Sequence, residues 1–330
     1  MAEVISLDQA RGAANRCRAI TASGKPCRNA AQANGFCQRH QPPTPGERVG
    51  PFEGQAVKRT LEYLRRRLTG EYGIDEFGFD AEITENVFAP LVRPWHERYW
   101  RVDWLGVDNV PSEGAALLVG NHSGTLPVDA MVMKFGLLDR HPAHRHVRLL
   151  AANLAFRMPI VGVMARKMGA TLACDEDALR LLRGGELVGV FPEGYKGVGK
   201  GYRNRYKLQR FGRGGFVELA LRTGVPIIPA AIVGSEEIYP MIYNAKTLAK
   251  IGGFPYFPVT PFFPWFGPLG LIPLPSKWII EFGEPIPTDE LGGAAAADDP
   301  MLVFNLTDQV RETIQQTLYS LLMQRQSVFR

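Results

Sequence analysis

The sequence predicts an α/β fold: a largely parallel β-sheet flanked by helices, with a small module ahead of it. Two observations carry this. Short apolar runs (115–119, 147–151, 170–173, 187–191, 227–233 and 278–282) have the length and bounding turn residues of buried strands. Between them lie segments with helical spacing, at 129–138, 175–183 and 213–223, and alternation of this kind places helices on the faces of a parallel sheet. A third observation sets the first 40 residues apart: they hold three of the four cysteines.

In that first segment Cys17, Cys27, Cys37 and His40 are separated by nine, nine and two residues, and the Cys-x-x-His end lets two ligands reach one ion. The segment resembles small bacterial Cys3His modules, which implies structural zinc; the alternative is three reduced cysteines in a basic arm. Residues 41–54 contain four prolines and read as a linker, leaving 55–330 as the main domain. The N-terminus has neither the basic nor the apolar region of a signal peptide, and the cysteines form no even secreted framework. Both features predict a reducing cytoplasm.

Residues 55–68 place Val57, Leu61, Leu64 and Leu68 on one stripe beside Arg65, Arg66 and Arg67, an amphipathic basic helix that either lies on an anionic membrane or packs on the domain. The stretch 71–100 shows no clean period and carries an aromatic cluster, Trp95, Tyr99 and Trp100. Residues 100–107 then read as a strand. The run 251–276 has no charged residue and seven prolines, so it is an irregular apolar loop rather than a spanning helix. Its Phe254, Phe257, Phe262, Phe263, Trp265 and Phe266 suit either a core-covering role or a membrane interface. The last helix, 301–324, packs on the domain through Leu302, Leu306, Val310, Ile314, Leu318 and Leu321. A net charge of +5 favours anionic partners mildly and does not mark the main domain as a nucleic-acid binder.

Chemistry concentrates where two of the strands end. After 115–119 comes Gly120-Asn121-His122, with Pro127 and Asp129 opening the next helix. A histidine at the carboxyl end of a strand, with a carboxylate beside it, suits general-base chemistry: imidazole takes a proton near neutral pH while the carboxylate fixes its tautomer. The plainer role for Asp129 is to favour a helix N-terminus. After 187–191 comes Phe191-Pro192-Glu193-Gly194, a tight turn expected to lift the Glu193 carboxylate into the open. Beyond it Lys196, Lys200, Arg203, Arg205, Lys207, Arg210 and Arg213 follow without an acidic residue, either a phosphate-holding loop or a solvated one.

In this order, with Gly169-Ala170 between the blocks and Val225-Pro226-Ile227-Ile228-Pro229 after them, these residues resemble the glycerolipid acyltransferase family, which includes acylglycerol-phosphate acyltransferases. The likeness covers about residues 90–290. Tyr206-Lys207-Leu208, Gly215-Phe216 and Val233-Gly234-Ser235-Glu236-Glu237 look most like the branch of neutral-lipid acyltransferases and phytyl ester synthases. The resemblance implies an acyltransferase of the EC 2.3.1 class in glycerolipid and phospholipid biosynthesis, peripheral on the cytoplasmic membrane and touching it through 251–276. His122 is then the base, Asp129 its partner, and Glu193 and Gly194 bind the acceptor; with Phe191 and Pro192 of the same turn and Lys196, Arg203 and Lys207 of the basic run they make up the expected substrate-binding set. The donor is acyl-CoA or acyl carrier protein and the acceptor a membrane glycerolipid; direct transfer needs no catalytic cofactor, metal or covalent acyl-enzyme. Two features depart from the family pattern. Six residues separate His122 from Asp129, more than is usual, and Cys174-Asp175 stand where acylglycerol-phosphate enzymes carry an arginine, which fits a neutral or differently anchored acceptor. The alternative class is a catalytically silent lipid-binding or tethering protein. A serine hydrolase is disfavoured by the lack of a Gly-x-Ser-x-Gly elbow.

Overall fold

The computed structural model describes residues 54–329 apart from Glu71, Ser123, Gly124 and Arg213, with side chains from Leu61 onward. The Cys17, Cys27, Cys37 and His40 set and nearly all of the 41–54 linker therefore lie outside the described residues. The chain divides into two units, Met1–Leu64 and Arg65–Arg330, so the boundary falls within the first described helix, α1 (Gly54–Thr69). In the second unit Arg67 closes a two-pronged ion pair on the buried Asp80, with Nη1 2.7 Å from Oδ2. Asp80 also caps the next helical run, α2 (81–99), by accepting from the Ile83 N–H at 3.1 Å.

The sheet holds seven strands: β1 (Asp103–Leu105), β2 (Ala116–Gly120), β3 (Val147–Ala151), β4 (Thr171–Leu172), β5 (Leu187–Val190), β6 (Ile227–Val233) and β9 (Ile279–Phe282), in the spatial order β1-β9-β6-β2-β5-β3-β4. A separate hairpin joins β7 (Tyr243–Asn244) to β8 (Pro258–Val259). Every neighbouring pair in the large sheet is parallel except β6 with β9. The largely parallel α/β sheet expected from the sequence is the one that forms. The strand expected over 100–107 pairs only across Asp103–Leu105, because Trp100 turns away to stack on Trp278 at 4.9 Å between ring centres.

The central strands are apolar throughout because both faces are covered, as parallel sheets require. Successive side chains alternate between two cores. Leu117 and Val119 join the core built with α6 (Asp175–Arg183), α8 (Gly215–Thr223) and α10 (Pro300–Gln324). Ala116 and Leu118 face the other, with Val132, Met133 and Leu137 of α3 (Val128–Arg140). The final helix buries Val303, Leu306, Val310, Ile314, Leu318 and Leu321, so it packs on the domain as its stripe predicts, with Val303 added to the buried set and Leu302 at its edge.

Several helical regions have no counterpart in the sequence reading, and two are the longest. Run α2 contains two π-helical segments, Thr84–Phe88 and Trp95–Tyr99, which displace the 3.6-residue period. Helices α4 (Asn153–Arg157) and α5 (Pro159–Lys167) direct Ile160, Val161, Val163 and Met164 outward, inverting the usual pattern. Segment 251–276 ends helix α9 (Lys246–Gly252), supplies β8 and one 3₁₀ turn, and otherwise has no regular structure. Its Phe254, Phe262, Trp265, Phe266, Leu269 and Ile272 are exposed, whereas Thr260 and Ser276 are buried. Among the described residues no helix is long and apolar enough to cross a membrane.

Candidate active site

Strands β5, β2 and β6 lie side by side and parallel, so the turns that leave their carboxyl ends meet in one place, where open α/β sheets bind their ligands. The turn after β2 carries Asn121 and His122, that after β5 carries Phe191 to Gly194, and that after β6 carries Glu236.

Asn121 is fully buried and continues the ladder beyond the end of β2. Its side-chain amide donates to the Ile232 carbonyl at 3.0 Å and its Oδ1 accepts from the Ile232 N–H at 2.7 Å. A side chain that replaces a strand's own peptide group fixes the next residue in space, and that residue is His122. The His122 imidazole is only slightly exposed, and its Nδ1 lies 2.9 Å from Oδ2 of the wholly buried Asp129. The other oxygen of Asp129 accepts from the Ala130 N–H at 2.8 Å. The structure thus brings His122 and Asp129 together across the longer spacing. Phe191 covers one face of the imidazole, ring centres 4.7 Å apart.

Glu193 corrects an expectation. Its carboxylate is not lifted into the open; it turns inward and its side chain is fully buried. Oε1 accepts the His122 backbone N–H at 3.0 Å and Oε2 the Gln209 N–H at 2.7 Å, while the Lys200 ammonium approaches Oε2 at 3.4 Å. A turn residue reaches solvent by default; here three partners from separate stretches hold it inside. Gly194 follows with φ of +52°, a conformation that favours glycine, and it permits the reversal into the short helix α7 (Tyr195–Val198). Gly197 of α7 passes so close to His122 that a Cβ there would lie 2.6 Å from the His122 carbonyl oxygen. Of the remaining expected residues, Pro192 is half-buried, and Lys196, Arg203 and Lys207 are exposed. Their side chains make no hydrogen bond or ion pair among the described residues.

Lys200 is the basic residue that turns inward. Its ammonium sits between Glu193 and Glu236, 3.2 Å from Glu236 Oε1, which also accepts the Tyr206 N–H at 3.0 Å. Two buried carboxylates thus share one cation. Burial pushes the Glu236 carboxyl up from 4.5 to about 7, against the attraction of Lys200 and with repulsion from Glu193. Gln315 of α10 pins the same loop, donating to the Tyr206 carbonyl at 2.8 Å and accepting from the Leu208 N–H at 2.9 Å.

The raised Glu236 carboxyl has a measurable consequence. Between pH 4.5 and about 7 the unfolded chain releases this proton while the folded chain keeps it, so stability falls as pH rises through that window and levels off above it. The full effect is about 3 kcal/mol at ~1.4 kcal/mol per pH unit. Glu236→Gln is expected to lack this decline, so its Tm relative to wild type rises from pH 4.5 to pH 7.5. A Tm difference that stays flat across the window would contradict the assignment.

Sequence reasoning missed Asn121 as a clamp, Lys200 as the inward cation and Gln209 as a carboxylate partner. It noted Glu236 only within a motif, although an acidic pair two residues beyond a seven-residue apolar strand is itself a signal of a buried, paired charge.

The arrangement is thus a slightly exposed histidine in contact with a buried aspartate at the carboxyl ends of parallel strands. Comparison with known proteins gives the class. Residues 101–233 match the family described as Acyltransferase, and residues 14–45 match a domain of unknown function (DUF5763). Over 275 residues, 83% of this chain and 76% of the relative, the chain is 56% identical to the uncharacterized protein Rv0502 of Mycobacterium tuberculosis. It is 29% identical over 230 residues to a Gallus gallus protein named DGAT1/2-independent enzyme synthesizing storage lipids, covering 69% of this chain and 64% of that one. Among solved structures, the 1-acyl-sn-glycerophosphate (LPA) acyltransferase PlsC of Thermotoga maritima superposes with a TM-score of 0.48 at 17% identity, over 83% of this chain and 98% of that one. The chain belongs to the acyltransferase family.

Proposed function

We propose that this acyltransferase moves a fatty acyl group from acyl-CoA to a hydroxyl of a glycerolipid, with His122 as general base. The observation that carries the reading is the 2.9 Å contact between His122 Nδ1 and the buried Asp129 carboxylate. A carboxylate accepts only, so in the neutral imidazole Nδ1 holds the proton and Nε2 the lone pair. Nε2 then takes the proton of the acceptor hydroxyl as that oxygen attacks the thioester carbonyl carbon. Collapse of the tetrahedral intermediate breaks the carbon–sulfur bond, and the departing thiolate receives the proton from Nε2. Asp129 stabilises the transient imidazolium without taking its proton.

Three features support a lipid acceptor. A relative 24% identical over 42% of this chain is named 1-acyl-sn-glycerol-3-phosphate acyltransferase. The exposed aromatic residues Phe254, Trp265 and Phe266 belong to the segment that also supplies Tyr256, a neighbour of the histidine loop. Aromatic side chains of this kind favour a membrane interface, so the reading includes peripheral membrane contact. Cys174-Asp175 in place of an arginine favours a neutral acceptor, as does the likeness to a storage-lipid enzyme. A structural zinc on Cys17, Cys27, Cys37 and His40 remains a proposal from the sequence.

The test is thiol release from palmitoyl-CoA with lysophospholipid, monoacylglycerol, diacylglycerol, long-chain alcohol or no acceptor. Release is expected with monoacylglycerol or diacylglycerol well above that without acceptor; release with long-chain alcohol alone would place the acceptor outside the glycerolipids. Equal release in every arm would mean hydrolysis. No release in any arm, from folded protein that binds vesicles, would favour a silent lipid-binding protein.

A further inference from the structure

We propose that Tyr256 is a positioning residue for the His122–Asp129 loop, latching it to the apolar segment through the Thr125 carbonyl. The inference rests on the reading of His122 as the base and adds a residue to that site.

Among the described residues of the loop, the strain falls at Thr125. Thr125 has φ of +65°, a conformation that a β-branched residue adopts only when its surroundings impose it. Three contacts do so. The Thr125 N–H donates to the Val198 carbonyl of α7 at 3.2 Å, its hydroxyl donates to the Tyr239 carbonyl at 3.3 Å, and its own carbonyl accepts from the Tyr256 hydroxyl. Two of the three lead into the apolar segment. Tyr256 belongs to it, and the Tyr239 hydroxyl donates to the Leu271 carbonyl at 2.7 Å. Asp129 follows in the first turn of α3, so the placement of Thr125 sets where the Asp129 carboxylate meets the imidazole.

Tyr256 is built for this position. Its ring lies against Gly199, where a Cβ would be 3.1 Å from the ring and 2.9 Å from the Tyr195 carbonyl oxygen. Burial, with the nearby Asp129 and Tyr195, pushes its hydroxyl up to about 12, so it remains a neutral donor over the working pH range. Because that hydroxyl is spent on a backbone carbonyl, its effect on the reaction passes through the loop.

The experiment compares wild type, Tyr256→Phe and His122→Ala as full chains carrying ¹⁵N-labelled histidine. The His122 Nδ1 proton is assigned by its loss in His122→Ala, and its solvent exchange is measured with no substrate present. Turnover is measured with palmitoyl-CoA and monoacylglycerol. Tyr256→Phe is expected to speed Nδ1 proton exchange and lower kcat by about 10-fold each, with KM for palmitoyl-CoA nearly unchanged, as a misplacement of tenths of an ångström implies. Wild-type exchange in Tyr256→Phe would overturn the proposal whatever the turnover. Full activity in His122→Ala would instead refute the reading of the base, while the exchange rate still decides whether Tyr256 holds the loop. If Tyr256→Phe does not fold, Tyr256→Leu, which also lacks the hydroxyl, is measured in its place, and faster exchange is expected there too; unchanged exchange in that variant would equally overturn the latch.

Discussion

Glu193→Ala is expected to lower stability by about 3 kcal/mol and Tm by roughly 10 °C, while cutting turnover sharply. The substitution leaves the N–H groups of His122 and Gln209 without their acceptor in a buried site, and each such loss costs ~1–3 kcal/mol. One effect opposes this. Lys200 keeps Glu236, and removing the second carboxylate relieves the repulsion between them, on the order of 1 kcal/mol. Two orphaned donors outweigh that relief. Glu193→Gln separates the structural role from substrate binding. It keeps the volume and one acceptor oxygen, so the fold survives, but the His122 backbone loses its fixed partner. The expected result is a fall in kcat of about 10-fold with the acceptor KM nearly constant. A rise in acceptor KM at unchanged kcat would return Glu193 to the binding surface that its turn suggests.

His122→Ala carries the largest expected change in activity, a loss of about 10³-fold in kcat, the range that general-base catalysis supplies. Its effect on stability is expected to be small. Among the described residues the ring makes one hydrogen bond, and it lies against Phe191 at the edge of the core; the Glu193 contact is to its backbone, which alanine retains. Measuring Tm and kcat on the same preparation checks both statements. A large loss of Tm would assign His122 to the structure, and undiminished turnover would remove it from the chemistry.

The parts of this fold that obey local rules were readable from the sequence. Ile227–Val233 is apolar at every position because both of its faces are covered, and the stripe of the final helix is regular enough to place its buried side. The His122–Asp129 pairing was also readable, since a strand end, a loop and a helix start bring the two close whatever path the loop takes. Local rules do not carry the choice among long-range partners. Glu193 sits in a turn that ordinarily faces water, and its three partners, the His122 N–H, the Gln209 N–H and Lys200, come together only once β2 and β5 are side by side. The run of basic residues looked uniform, yet among its described members Lys200 alone meets Glu193 and Glu236 in the buried network, while Lys196, Arg203 and Lys207 stay exposed. Helices α2 and α5 were hidden for a different reason: π turns shift the period of one, and the other exposes the apolar face that normally marks a core.

Direct acyl transfer to a lipid hydroxyl by the His122–Asp129 pair is tested most directly by counting two products of one reaction. Palmitoyl-CoA is mixed with each acceptor, and free thiol and lipid ester are quantified together in wild type and in His122→Ala. Equal amounts of thiol and ester are expected from wild type with the preferred acceptor, and neither from the variant above background. Thiol without ester, or the same ester yield from both proteins, would contradict transfer by this pair.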